Sequence, residues 1–360
     1  MIRKIIFLSL LICCAALLNA KPIATVEADF AGPKTEVSKN LYGIFFFFFN
    51  YGADGGLYAE MIQNRSFEYS FGTEGWDTIK PHKKNKTRLR KKNATGLNAN
   101  NPSYGELKIT EDGTGCGNEG YGGLPLEVGK TYKGSVYLKC KEGGITEVTV
   151  GFDDGKGKEK YAETTISGIT NEWKKFEFSL SPSKTTTKGR LTIIAKGIGI
   201  LHIDMLSLFR PETFKNQPNG MRLDLANLLN DLQPGFMRFP GGCIVEGKGL
   251  ANAYRWKDTV GPIEERKENA NCWGYQQSYG IGFYEYFRFC EDMGCEPVPI
   301  INCGMSCQAR GVELALMSEL DEWIQDALDL IEFANGDVTT TWGKLRADMG
   351  HPEPFNMKYL

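Results

Sequence analysis

The segment Phe236-Met237-Arg238-Phe239-Pro240-Gly241-Gly242-Cys243-Ile244-Val245-Glu246-Gly247 constrains this chain more than any other. An apolar strand runs straight into a Gly-rich turn, with an arginine at the rim. The elements around it alternate in type. Met221–Leu232 reads as an amphipathic helix, with Leu223, Leu225, Ala226, Leu228 and Leu229 as its apolar stripe. Gly282–Met293 reads as a helix carrying Phe283, Tyr286, Phe287 and Cys290. Glu296–Cys303 reads as an apolar strand and Leu320–Ala334 as another helix. Strands and helices in this order predict a parallel sheet. In a barrel built this way, loops at the C-terminal ends of the strands carry the chemistry, which is where the order places Arg238.

Upstream the pattern changes. Lys21–Phe67 holds one apolar strand, Asn40–Phe46, followed by a Gly-rich turn and a short helical stretch with Leu57, Met61 and Ile62. From Glu68 to Arg210, short alternating segments are separated by Gly, Asn, Asp and Ser. Tyr132–Lys139, Glu147–Phe152, Lys175–Leu180, Leu191–Ala195 and Leu201–Leu208 are examples, and this spacing predicts a β-sandwich. The basic run from Lys80 to Asn93 suits an acidic polymer. A solvated loop on the sandwich is the stronger reading, because no stacking aromatics are interleaved.

A chain of 360 residues has room for two or three domains. With 42 basic against 44 acidic residues, nothing global points to nucleic acid or an anionic membrane. Residues 1–20 read as a secretory signal: Arg3 and Lys4, an apolar run from Ile5 to Leu18, and a cleavage site at Leu18-Asn19-Ala20. The expected location is therefore exported, periplasmic or extracellular, with no membrane association after cleavage. Eight cysteines follow the signal. Cys303-Gly304-Met305-Ser306-Cys307 has the look of a metal site but lacks a second paired cluster, so small buried residues near strand ends are the preferred reading.

Together with Arg255-Trp256-Lys257-Asp258-Thr259-Val260-Gly261-Pro262-Ile263-Glu264-Glu265-Arg266, the opening segment resembles glycoside hydrolase family 51, the α-L-arabinofuranosidases. Asn40-Leu41-Tyr42-Gly43-Ile44-Phe45-Phe46 is similar to the family's first barrel strand. Leu124–Tyr132 and Ile203–Leu208 resemble jelly-roll carbohydrate-binding modules. The resemblance implies α/β plus all-β architecture: an incomplete N-terminal part of a (β/α)8 TIM barrel with an inserted jelly-roll β-sandwich. The expected divisions are a signal at 1–20, a first-strand segment at 21–67, the sandwich at 68–210 and part of the barrel at 211–360.

The implied activity is retaining hydrolysis of terminal non-reducing α-L-arabinofuranosyl residues in arabinan- or arabinoxylan-type glycans. The expected partner is a plant-cell-wall-type polysaccharide or arabino-oligosaccharide; no metal or organic cofactor is implied. Such chemistry uses two carboxyl groups flanking the scissile bond. In the family, the acid/base glutamate follows an asparagine at the end of the fourth strand and the nucleophile ends the seventh. His351–Leu360 matches the approach to that fourth strand, so both carboxyls are expected beyond Leu360 and the 360-residue chain is expected to be inactive.

Phe47 stands where relatives place a sugar-binding glutamate. Phenylalanine accepts no hydrogen bond from a hydroxyl, so sugar affinity should fall. The resemblance carries substrate-binding roles to Arg238, Trp273 and Asn302. For each there is a structural alternative: a strand-end cap, buried packing and a loop tie. No role is carried to Cys243, and Glu246, Glu264, Glu265 and Glu353 are read as surface glutamates. Two other functions remain open, a non-catalytic glycan-binding fragment and a retaining barrel glycosidase with another sugar preference.

Overall fold

The computed structural model describes residues 26–46, 51–94 and 96–360. The expected signal sequence and Phe47 lie outside the described residues. By contact the chain separates into a unit up to Ser38 and a unit from Lys39 to Leu360, and every element below belongs to the second. Among the described residues, no helix is long and apolar enough to cross a membrane.

Two antiparallel sheets stack over one core. In the first, the order is Lys174–Leu180, Tyr132–Gly143, Gly199–Phe209, Ser103–Ile109 and Arg88–Asn93. In the second, it is Trp76–Ile79, Gly115–Asn118, Thr186–Ala195, Glu147–Asp153 and Lys160–Ser167, with Leu124–Leu126 also paired to Thr186–Ala195. Alternation sets the inner faces. In Gly199–Phe209, for example, Leu201 and Ile203 turn into the core with Val136, Leu138, Leu191 and Ile193. The core also takes in Met61, Ile62 and Phe67, which the sequence reading left outside the sandwich. Phe67 stacks on Trp76 at 4.7 Å.

The basic run is a turn and an edge strand, rather than the expected loop. Arg88–Asn93 closes the first sheet, and Lys91 Nζ donates to the carbonyls of Glu68 and Tyr69, 3.1 Å each. Lysines and arginines on an edge strand discourage pairing with another chain.

The third sheet is parallel. Gly43–Phe45, Phe236–Phe239 and Glu296–Pro299 lie side by side in that order. The first and third strands are shorter than the sequence suggested. Ile300 N still donates to Phe239 O at 2.8 Å, but the chain then turns at Asn302. Met357–Leu360, which looks like a further strand in the sequence, carries no strand pairing.

The helix Phe283–Met293 buries Phe283, Tyr286, Phe287 and Cys290, positions spaced to share one face. Glu285 accepts from Gly282 N at its start, and Gly294, at φ 70°, ends it in the left-handed conformation. Phe239 stacks on Tyr286 at 4.7 Å, and Trp256, Phe333 and Tyr254 complete this aromatic core. On Leu223–Asp231 the apolar stripe is only partly used: Ala226 is buried, while Leu228 is 64% exposed. Ile324, Leu328 and Ile331, on the outer side of Leu320–Asn335, are also exposed.

Candidate functional site

The C-terminal ends of the parallel strands gather Phe45, Arg238 and the turn after Phe239. The Arg238 guanidinium lies over the Phe45 ring, 4.0 Å from its centroid. It makes no ion pair among the described residues, and its Nη1 is enclosed without a hydrogen-bond partner. Burial pulls its pKa below the usual guanidinium value, and no carboxylate offsets that. A guanidinium held in this way presents a planar fork to whatever enters, and carboxylates or adjacent hydroxyls match that fork.

The turn makes room for it. Gly241 sits at φ 82°, and a Cβ there would fall 2.7 Å from the Phe45 ring and 2.8 Å from Arg238 Nη1. Gly241 is therefore a spatial requirement of the Arg238 position. The chain then forms a short helix, Gly242–Glu246, where a plain turn was expected.

Asn302 is buried, and its whole amide is engaged by backbone. Nδ2 donates to Val245 O at 2.8 Å and Met305 O at 2.9 Å, while Oδ1 accepts from Gly304 N and Met305 N. The geometry is that of a loop tie, joining the end of the third parallel strand to the helix after the second. Trp273 is half-buried against the aromatic core, its backbone N–H donating to Asn271 Oδ1 at 2.8 Å. The structure thus brings Arg238 and the Asn302 loop to one end of the sheet, and places Trp273 on a separate loop at the core's margin.

The second sequence block does different work. Arg255 pairs with Asp326 at 2.6 Å and Glu322 at 2.8 Å and stacks on Trp323. Trp256 is buried and donates to Asp326 O. Arg266 makes two 2.9 Å bonds to Glu285 in the interior and donates to Tyr279 O. Glu264 accepts from Tyr137 Oη at 2.7 Å, and Asn101 donates to the Glu264 and Arg266 carbonyls. The block fastens the loop to the helices and to the sandwich. Asp204, beside Tyr137 in register, is wholly buried, so this part of the first sheet's outer face is covered.

Sequence reasoning missed a buried acidic cluster. Asp54 accepts from Ser278 N and Oγ, Glu60 accepts from Leu208 N and Ser207 Oγ, and Arg65 lies 3.6 Å from Glu60. Glu268 accepts from Ser66 Oγ, while its other oxygen is enclosed and unpartnered. Burial pushes its pKa up to about 7, against the pull of Ser66 and Arg65. These acids are scattered over more than 200 positions, and only the fold assembles them.

Comparison with known proteins settles the relationship. The Alpha-L-arabinofuranosidase 1 domain matches residues 228–360, and a Carbohydrate binding domain matches residues 59–197. An extracellular exo-α-L-arabinofuranosidase of Streptomyces chartreusis is 40% identical over 354 residues, covering 93% of this chain and 41% of its own length. α-L-Arabinofuranosidase 1 of Arabidopsis thaliana is 34% identical over 359 residues, covering 95% of this chain and 51% of its own length. The arabinose-bound MgGH51 α-L-arabinofuranosidase structure superposes with a TM-score of 0.84 at 31% identity, over 91% of this chain and 54% of that one.

Over the length it spans, the chain matches the family 51 α-L-arabinofuranosidases. It spans about half the length, or less, of the curated relatives it matches. Arg238 and its glycine turn lie at the rim of the parallel sheet, within the match at 228–360, and the match at 59–197 falls on the two-sheet sandwich.

Proposed function

We propose that these residues form the N-terminal part of an exported, exo-acting, retaining α-L-arabinofuranosidase. The parallel sheet is read as the first three strands of a (β/α)8 barrel, with the sandwich inserted after the first. The substrate is an arabinose-bearing wall polysaccharide or oligosaccharide, from which terminal α-L-arabinofuranosyl groups are removed. The observation that carries the reading is Arg238: a half-buried guanidinium at the rim of a parallel sheet, its enclosed Nη1 without a partner among the described residues, on a scaffold shared with arabinofuranosidases. The exposed stripe Ile324, Leu328 and Ile331 supports further chain packing against this half.

Arg238 then binds a sugar hydroxyl or orients the catalytic nucleophile. Asn302 positions the loop beside it, and Trp273 lines the sugar subsite from its own loop. The acid/base and nucleophile glutamates are supplied by barrel strands outside these 360 residues. Export is supported by the Streptomyces relative, which is named as extracellular.

The test is turnover of an aryl α-L-arabinofuranoside by the 360-residue chain and by the chain extended to the length of the Streptomyces relative. Turnover is expected only from the extended chain, with a further gain on Phe47→Glu. Turnover by the 360-residue chain, abolished by mutating one of its own carboxylates, would overturn the reading.

A further inference from the structure

The short helix after Arg238 carries a second feature that hydrolysis does not use. Cys243 and Glu246 are three residues apart on Gly242–Glu246 and therefore share one helical face. Cys307 approaches from the loop after the third parallel strand. The two Sγ atoms and a Glu246 carboxylate oxygen all lie within 4.8 Å of one another. Cys303, the other half of the sequence pair, is exposed and outside this group. The sequence spacing pointed at the wrong partner, since Cys307 meets a cysteine 64 positions earlier.

The three groups are held by backbone. Cys307 N donates to Gly247 O at 3.3 Å, at the end of the helix. Asn302 ties the same loop to Val245 O. Ser306 and Glu313 exchange two further bonds, and Glu313 accepts from Leu250 N at 2.7 Å. Cys307 is fully buried, whereas Cys243 and Glu246 are half-buried, so the group is fixed on one side and open on the other.

We propose that Cys243, Glu246 and Cys307 form a binding site for a thiophilic divalent cation, with zinc as the best fit. Two thiolates and one carboxylate are a soft-leaning donor set that favours zinc over calcium or magnesium. Tetrahedral zinc with sulfur ligands at about 2.3 Å places those sulfurs about 3.8 Å apart, within the spread seen here. Three protein ligands leave the fourth position to water, on the half-buried side. The site lies beside Arg238 but shares no ligand with it, so its existence does not depend on the hydrolase reading.

The test uses the reduced 360-residue chain and cobalt(II), a spectroscopic stand-in for zinc. One equivalent should bind with a thiolate-to-metal charge-transfer band, and zinc should displace it. Cys243→Ser and Cys307→Ser should each weaken binding at least about 100-fold, because even outer-shell partners are worth 10- to 100-fold. Glu246→Gln should weaken it by about 10-fold and keep the band, since both thiolates remain. Cys303→Ser should change nothing. The metal-free thermal midpoint of each variant, unchanged from the parent, separates ligand loss from misfolding. A band that survives in the Cys243→Ser/Cys307→Ser double variant would overturn the proposal. Absence of stoichiometric cobalt uptake by the chain with Cys243 and Cys307 both verified as free thiols would overturn it equally.

Discussion

Two arginine-bearing loops lie within thirty residues of each other and have opposite characters. Arg266 is enclosed and fully paired, with both guanidinium ends on Glu285 and Tyr279 O. Arg238 is enclosed at Nη1 and, among the described residues, unpaired, with the Phe45 ring beneath it. Both loops stood out in the sequence for the same reason, their resemblance to one family. The structure separates them by asking whether each buried polar group has a partner. A satisfied group holds the fold together; an unsatisfied one implies that something else completes it.

The same contrast scales up to the two halves of the molecule. The sandwich closes over its own core, whereas the parallel sheet leaves Phe45 at an edge and apolar helix faces in solvent. The largest expected effect tests this self-sufficiency. A segment comprising 59–210 should unfold cooperatively by itself, and one beginning at Glu68 should not. The shorter piece loses Met61 and Ile62, the ring of Phe67 and its stack on Trp76, each buried side chain being worth about 1.5–3 kcal/mol. Equal stability of the two segments in urea would show that the first strand's flank is dispensable.

Next comes the paired arginine. Arg266→Ala strands the Glu285 carboxylate in the interior and also weakens the start of Phe283–Met293, which Glu285 caps. Removing one partner of a buried pair costs about 3–5 kcal/mol. Chemical denaturation should show that loss, and recovery in an Arg266→Met/Glu285→Leu pair would confirm that the stranded charge is its source.

Arg238→Ala should do the reverse. With no ion pair to break, stability should change by less than about 1 kcal/mol, although the enclosed Nη1 is removed. In the chain extended through the rest of the barrel, turnover should fall by about 100-fold or more, the scale seen when one preorganised donor is lost. A large loss of stability with normal turnover would place Arg238 with Arg266, as a structural residue.

How far the sequence foretold this depends on range. Phe236–Phe239 and the helix Phe283–Met293 were legible because periodicity and terminal glycines are local signals. So were five of the sandwich's longer strands, though Ser103–Ile109 and Lys160–Ser167 were not named. Edge and short strands such as Arg88–Asn93 and Gly115–Asn118 were missed, since charged or Gly-rich segments lack alternation. Arg238 stood out through its resemblance, and the structure puts it at the rim of the parallel sheet over Phe45. Asn302 was left between two roles, and only the four backbone bonds to its amide reveal the tie. The Cys243–Glu246–Cys307 group and the acidic cluster were invisible because Cys307 reaches the other two, and the acids reach one another, only through tertiary contacts.

The smallest effect concerns Glu268, which sits between the two extremes. One oxygen has Ser66 as its donor and the other has none. Its folded pKa, near 7, lies above the ordinary glutamate value of about 4.3. Between these values the folded state binds more protons than the unfolded state, so stability falls as pH rises from about 4.3 to 7, and this contribution levels off above that. Glu268→Gln keeps an amide near Ser66 and removes the charge. The variant should be more stable than the parent at pH 8, should match it near pH 4, and should lack this part of the pH slope. Urea midpoints measured at half-unit steps across that window decide the matter. A parent and variant whose stabilities run parallel throughout would mean that Glu268 is ionised and satisfied in the folded protein, which would place it with Arg266 rather than with Arg238.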